Sequence, residues 1–180
     1  MLMEAGRSVL LIVDVQERLL PVIHDGARVL EQCLWLIRLA RRMQVPVVAS
    51  EQYPQGLGRS VPALREALPA DAFVEKVFFS CVTDGVLQQL PLFGRQQWVV
   101  TGTEAHVCVL QTVLDLCAAG KKVFVVAEAV GSRRPLDREL ALARMARSGA
   151  EVVSREMVAF EWLRRAGTDL FREVNRDFIR

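Results

Sequence analysis

Histidine and tyrosine are scarce in this chain: 180 residues hold two of the first and one of the second. With only His24 and His106, a zinc site would have to be assembled from scattered positions, so no metal is expected. Cysteine is nearly as sparse. Cys33, Cys81, Cys108 and Cys117 form no CxxC pair and lack the density of a disulfide framework, leaving reduced thiols and a cytoplasmic protein as the expectation. No apolar run is long enough for a membrane: "VLLIV" (9–13) meets Asp14 at once, where a span needs about 20 residues, and nothing resembles a signal peptide. The formal net charge is only +2, and the short "RRM" (41–43) and "SRR" (132–134) clusters form no basic stripe with aromatics, so nucleic acid is not an expected partner. Nucleotide signatures are missing too. "DVQERLLP" has no glycine for a dinucleotide fingerprint, no GxxxxGK[ST] loop or GxSxG elbow occurs, and no cofactor is expected.

What is present is alternation. Short apolar, β-branched runs are predicted as strands at 8–13, 46–50, 72–77, 96–102, 122–128 and 151–154. They are continuous rather than alternating, as expected when both faces of a sheet are covered. Between them, three- and four-residue apolar spacing predicts helices over 27–43 and 106–119, the second stopped by Gly120. Thr83 is expected to cap a helix reaching Leu90, Pro135 to open one that Gly149 ends, and one or two helices to run from Arg155 to the end. Residues 51–62, "EQYPQGLGRSVP", read as a loop. This pattern predicts a single α/β domain over 1–180, a three-layer Rossmann-like fold whose six-stranded parallel sheet has helices on both faces. The 52% hydrophobic content suits such a buried sheet and also an oligomer interface.

In doubly wound sheets, sites form beyond the carboxyl ends of the strands. The first strand ends at Asp14, the third near Lys76, and the fourth runs through "VTGTEAHVC" to bring Cys108 to the first turn of a helix. An acid, an amine and a thiol therefore share one rim. A helix N-terminus and a neighbouring ammonium both favour thiolate over thiol, and Asp14 can anchor Lys76 and pass a proton between thiol and leaving group. Taken singly, each residue has a plainer reading: Asp14 as a turn or cap, Lys76 as a solvated strand end, Cys108 as a small packed side chain.

Four stretches, "LLIVDVQERLLPVI", "SEQYPQGLG", "EKVFFS" and "VVTGTEAHVCVLQTVLDLCAAGKKVFVVAEAVGSR", occur in an order that resembles the isochorismatase-like cysteine hydrolases. That family includes nicotinamidases, N-carbamoylsarcosine amidases and isochorismatases, and the likeness covers nearly the whole chain. The resemblance implies an Asp–Lys–Cys triad carried by Asp14, Lys76 and Cys108. It also implies a cis peptide between Thr103 and Glu104, turning the Glu104 N–H toward the site to form an oxyanion hole with the N–H of Cys108. Nicotinamidases carry an Asp-x-His…His metal site after the second strand; "SEQYPQGLGRS" has no histidine there.

The expected activity is cysteine-dependent hydrolysis of a small molecule at an amide C–N bond, through a thioester, by a homo-oligomer. Gln16, Gln52, Tyr53, Phe78 and His106, at strand ends or in adjoining loops, are the expected substrate contacts. The rival expectation is an oligomeric scaffold or binding protein that keeps the fold without efficient turnover.

Overall fold

The computed structural model describes residues 1–179; Arg180, the last residue of the expected C-terminal helices, lies outside them. Six strands form one sheet: β1 (Ser8–Val13), β2 (Val47–Gln52), β3 (Phe73–Lys76), β4 (Gln97–Gly102), β5 (Lys122–Val130) and β6 (Glu151–Val153). Their spatial order is β3-β2-β1-β4-β5-β6 and every pairing is parallel. The chain moves outward from β1 to β3, then returns to the other side of β1 with β4. The order thus reverses between β1 and β4, and a crevice opens at such a reversal.

The helices are α1 (Gly26–Arg42), α2 (Pro54–Leu57), α3 (Pro62–Ala67), α4 (Leu110–Ala118), α5 (Pro135–Arg147), α6 (Arg155–Leu163) and α7 (Asp169–Val174). Two short helices, α2 and α3, occupy part of the expected 51–62 loop and the residues after it, each opened by a proline in its first turn. The sheet separates two cores. Leu10 and Ile12 of β1 pack with Val29, Cys33 and Leu36 of α1, Leu64 of α3 and Val158 and Trp162 of α6. Val9, Leu11 and Val13 face the other way, toward Val113 and Leu116 of α4 and Ala141 and Met145 of α5. Every residue of β1 is buried, which explains its unbroken apolar run. Burying each such side chain contributes about 1.5–3 kcal/mol before chain entropy is counted. Among the described residues no helix is long and apolar enough to cross a membrane.

One expected element is absent. Residues 81–90 form successive turns, not a helix capped by Thr83. Local side chains fasten the segment as turns: the Ser80 Oγ accepts from the N–H of Val82 and Thr83, and the Asp84 carboxylate from the N–H of Val77 and Phe78. The Thr83 hydroxyl instead donates to Asp115 on α4.

The reversal depends on Gly102. Its φ is 126°, and a Cβ built on it would stand 2.1 Å from the Val13 carbonyl oxygen. Only glycine lets the ends of β1 and β4 close to this distance. Gly102→Ala is therefore expected to lower stability by about 3 kcal/mol or more, through both the strained φ and the clash. Urea unfolding checks this; a loss under 1 kcal/mol would show that the strand ends can part freely.

Candidate active site

Asp14 follows the last residue of β1 and adopts a left-handed conformation, φ 52°. Its carboxylate is held from two sides. The Ser50 hydroxyl donates to Oδ1 at 2.7 Å, and the Lys76 Nζ donates to Oδ2 at 2.8 Å. Both ionised side chains of that pair are 0% exposed. Lys76 is the last residue of β3, two strands from β1, and reaches the pair across the end of β2. There the Gln52 Oε1 accepts a second Nζ hydrogen bond at 2.5 Å. The Thr103 hydroxyl donates to the Asp14 carbonyl at 2.6 Å, and the Thr103 N–H to Val13 at 2.8 Å. Burying an unpaired charge would cost several kcal/mol, so these contacts explain why a lysine can sit at this depth.

Cys108 lies in a single π-helical turn, Ala105–Val109, that runs directly into α4. Such turns are frequent at functional sites because they re-aim one side chain within an otherwise regular helix. The thiol is buried, with 3% of the residue exposed. Its pKa is raised above the ordinary thiol value. Burial is the largest cause; the Asp14 carboxylate adds to the rise through its charge and side-chain hydrogen bonding, and Lys76 opposes it. The lysine lowers the thiol pKa, as expected, but its ammonium is hydrogen-bonded to Asp14, and burial beside that carboxylate sets the net direction upward. For Lys76 burial is the largest single influence and lowers its pKa, but Asp14, Cys108 and Cys81 together outweigh it and the net direction is upward.

The geometry corrects one expectation. No cis peptide occurs among the described residues. The bend after β4 is made instead by backbone dihedrals: Gly102 at φ 126°, then Glu104 in the left-handed region at φ 55°, ψ 55°. Gln16 is engaged within the protein. Its Nε2 donates to the Gln52 and Gly58 carbonyls at 3.0 and 2.6 Å, and its Oε1 accepts from the Gln52 N–H at 2.8 Å. It braces the loop after β2 against the end of β1.

The remaining expected contacts divide. Gln52 is buried and engaged with Lys76, its Nε2 donating to the Val77 carbonyl at 2.7 Å. Tyr53 and Phe78 are exposed, together with Val77 and Phe79. The His106 Nδ1 lies 3.0 Å from the Ser132 hydroxyl. Three participants escaped the sequence reading. Ser50 and Thr103 both bind Asp14, and the strand-end rule could have found them. Arg133, paired with Glu104 at 3.0 Å, sits in a loop whose charges read as solvated. A cleft of about 550 Å³ lined by Glu51, Arg59, Arg65 and Phe73 includes none of Asp14, Lys76 and Cys108. No group of three metal-ligating side chains occurs among the described residues.

The six-stranded parallel sheet with helices on both faces is an α/β fold, and it carries acid, amine and thiol on one rim. Residues 8–157 match the isochorismatase domain, and the chain belongs to that family. It is similar to isochorismatase domain-containing protein 2 of Danio rerio, at 36% identity over 171 residues, 94% of this chain and 85% of that protein. A structure of MAR1 ribonuclease from Caenorhabditis elegans superposes with TM-score 0.87 at 33% identity, covering 98% of this chain and 91% of that one. The YcaC gene product of Escherichia coli, described as an octameric hydrolase of unknown specificity, shares the fold with TM-score 0.89 at 23% identity, covering 99% and 91%.

Two outcomes follow from the electrostatics. Lys76→Met leaves Asp14 buried without its counter-ion and is expected to cost about 3–5 kcal/mol. Adding Asp14→Asn should recover part of this in urea titrations; a double variant less stable than Lys76→Met would contradict the pairing. Because the Cys108 pKa is raised, its thiolate fraction and hence its iodoacetamide alkylation rate should climb about tenfold per pH unit between pH 7 and 9. Peptide mapping by mass spectrometry measures the rate, and a plateau near pH 6–7 would mean a preformed thiolate.

Proposed function

We propose that this protein is a cysteine hydrolase that cleaves an amide C–N bond in a small molecule through a Cys108 thioester. The observation that carries the reading is the buried Asp14 carboxylate, fixed by Lys76 and Ser50 and coupled to the neutral thiol of Cys108. A carboxylate so placed acts as a base only when sulfur needs one. As Sγ bonds to the substrate carbonyl carbon, the thiol proton passes to Asp14 and the carbonyl electron pair moves onto oxygen. Collapse of that tetrahedral species breaks the C–N bond, and Asp14 returns the proton to the departing amine. Asp14 then takes a proton from water as its oxygen attacks the thioester; the C–S bond breaks, sulfur regains a proton, and the acid is released. Lys76 holds Asp14 in place and balances its charge throughout.

The N–H groups of Glu104 and Cys108 are the proposed oxyanion donors. The Glu104 N–H donates to no acceptor among the described residues, although the residue is buried. A buried amide without a partner is uncommon and needs a reason; a developing oxyanion supplies one. The 3% exposure of Cys108 suits a small substrate that presents a narrow carbonyl, and Tyr53, Phe78 and His106 are the side chains proposed to contact its remainder. Four free thiols fit a reducing, cytoplasmic setting, and no cofactor or metal enters the scheme. We take 1–180 as one domain, and a homo-oligomer as the working form, supported by exposed Val77, Phe78, Leu136, Leu140 and Phe160 and by the octamer described for the E. coli relative. The second reading, a scaffold or binding protein without efficient turnover, draws on the depth and neutrality of the same thiol.

A panel of small amides, assayed for ammonia or amine release, separates these readings; RNA belongs in the panel because the C. elegans relative is called a ribonuclease. Cys108→Ala and Asp14→Asn should each lower amide turnover at least about 10³-fold. Full turnover by Cys108→Ala would end the mechanism. Cleavage of RNA but not amides would replace the substrate class.

A further inference from the structure

The nucleophile turn is tied to the loop after β5 by five hydrogen bonds, all made by residues 102–106 and 131–133. The Ala105 N–H donates to the Gly131 carbonyl at 2.8 Å, and the Gly131 N–H to that of Gly102 at 3.1 Å. The His106 Nδ1 meets the Ser132 hydroxyl at 3.0 Å. The last two form a fork: the Arg133 Nε and Nη2 donate to Glu104 Oε1 and Oε2, each at 3.0 Å. The partners differ sharply in depth, the Glu104 side chain being 5% exposed and that of Arg133 60%.

This is a costly way to fill space. A buried carboxylate gives up its hydration, and a neutral side chain of similar size would pack there at less expense. What the charge adds is direction, because a guanidinium fork accepts a carboxylate in one plane and at two fixed points. Direction matters at this residue. Glu104 lies in the left-handed region, which a side chain-bearing residue keeps only when its surroundings hold it. Rotation of that backbone would swing the unpartnered Glu104 N–H, four residues before Cys108.

We propose that Arg133 is a positioning residue for the reaction: by gripping the Glu104 carboxylate it fixes the Glu104 N–H as an oxyanion donor beside Cys108. The inference rests on the reading of Cys108 as nucleophile. It makes a specific demand, that Arg133 matter only to steps in which negative charge appears on a carbonyl oxygen. Such an interaction is realised in the transition state and not in ground-state binding.

Two probes of the same sulfur separate that demand from a general structural role. Acylation of Cys108 by 4-nitrophenyl acetate passes through a tetrahedral oxyanion, whereas alkylation by iodoacetamide displaces iodide at carbon and forms none. In the intact protein, Arg133→Met is expected to slow the 4-nitrophenolate burst by about 10- to 100-fold, short of the loss of a whole donor, and to leave the alkylation rate within about twofold. Arg133→Lys keeps the charge without the fork and should fall between. Glu104→Gln, neutral and of nearly the same shape, should slow acylation as Arg133→Met does, which guards against an effect peculiar to either side chain. Equal slowing of acylation and alkylation would reduce the clamp to scaffolding, and unchanged acylation would remove it; both outcomes overturn the proposal. A wild-type protein that gives no burst while Cys108→Ala retains amide turnover would overturn the nucleophile reading itself, a failure distinct from a normal wild-type burst that Arg133→Met leaves intact.

Discussion

The ion pair between Asp14 and Lys76 sets the terms for everything around it. Two opposite charges, 2.8 Å apart and wholly shielded from water, must satisfy each other and their remaining hydrogen-bonding capacity within the protein. Ser50 and Gln52 complete that task from the end of β2, and Gln16 secures the Gln52 backbone in turn. The chain from Gln16 to Lys76 forms one braced unit, although its members come from β1, β2 and β3. It works only if the three strands end at matching heights, and the parallel register supplies this: Val13 opposite Ser50, and Gln52 opposite Lys76.

Given that pair, the state of the thiol follows. An ammonium already committed to a carboxylate leaves little net positive field for a neighbouring sulfur. Burial then dominates, and the pKa of Cys108 is pushed up. The other buried thiols behave alike for a simpler reason: burial pushes Cys33 up to about 12 and Cys81 up to about 11. The Asp14 carboxylate also raises Cys81 through its charge, and Cys108 differs in that its thiol hydrogen-bonds that carboxylate as well. Under the proposed mechanism the proton moves during attack, so the orientation of the carboxylate counts for more than the charge of the sulfur.

Much of the fold was legible because burial on both faces writes a simple pattern. "SVLLIV" has no polar position to confuse it, and its predicted bounds, 8–13, are those of β1. Strand-end logic then brought Asp14, Lys76 and Cys108 to one rim before any contact was known. One misreading has its physical origin in side chains that bind backbone. Ser80 and Asp84 tie the backbone around 77–83 into turns where a helix reaching Leu90 was expected. Periodicity carries no trace of such local ties. Arg133 was missed for a related reason: a charge in a loop reads as solvated until its buried partner is placed beside it. The cis bond expected at Thr103–Glu104 came from family likeness, and the same bend is made here by Gly102 and Glu104 in unusual but trans geometry.

The depth of Cys108 has a meaning for the lifetime of the protein as well as for its chemistry. Peroxide and disulfides attack thiolates, and they attack those they can reach. A sulfur that is 3% exposed and whose pKa is raised by burial offers such oxidants little charge and little access. Cysteine hydrolases that hold a standing thiolate depend on cellular reductants to return it from sulfenic acid. Here the burial that packs Cys108 against the sheet also acts as its preservative.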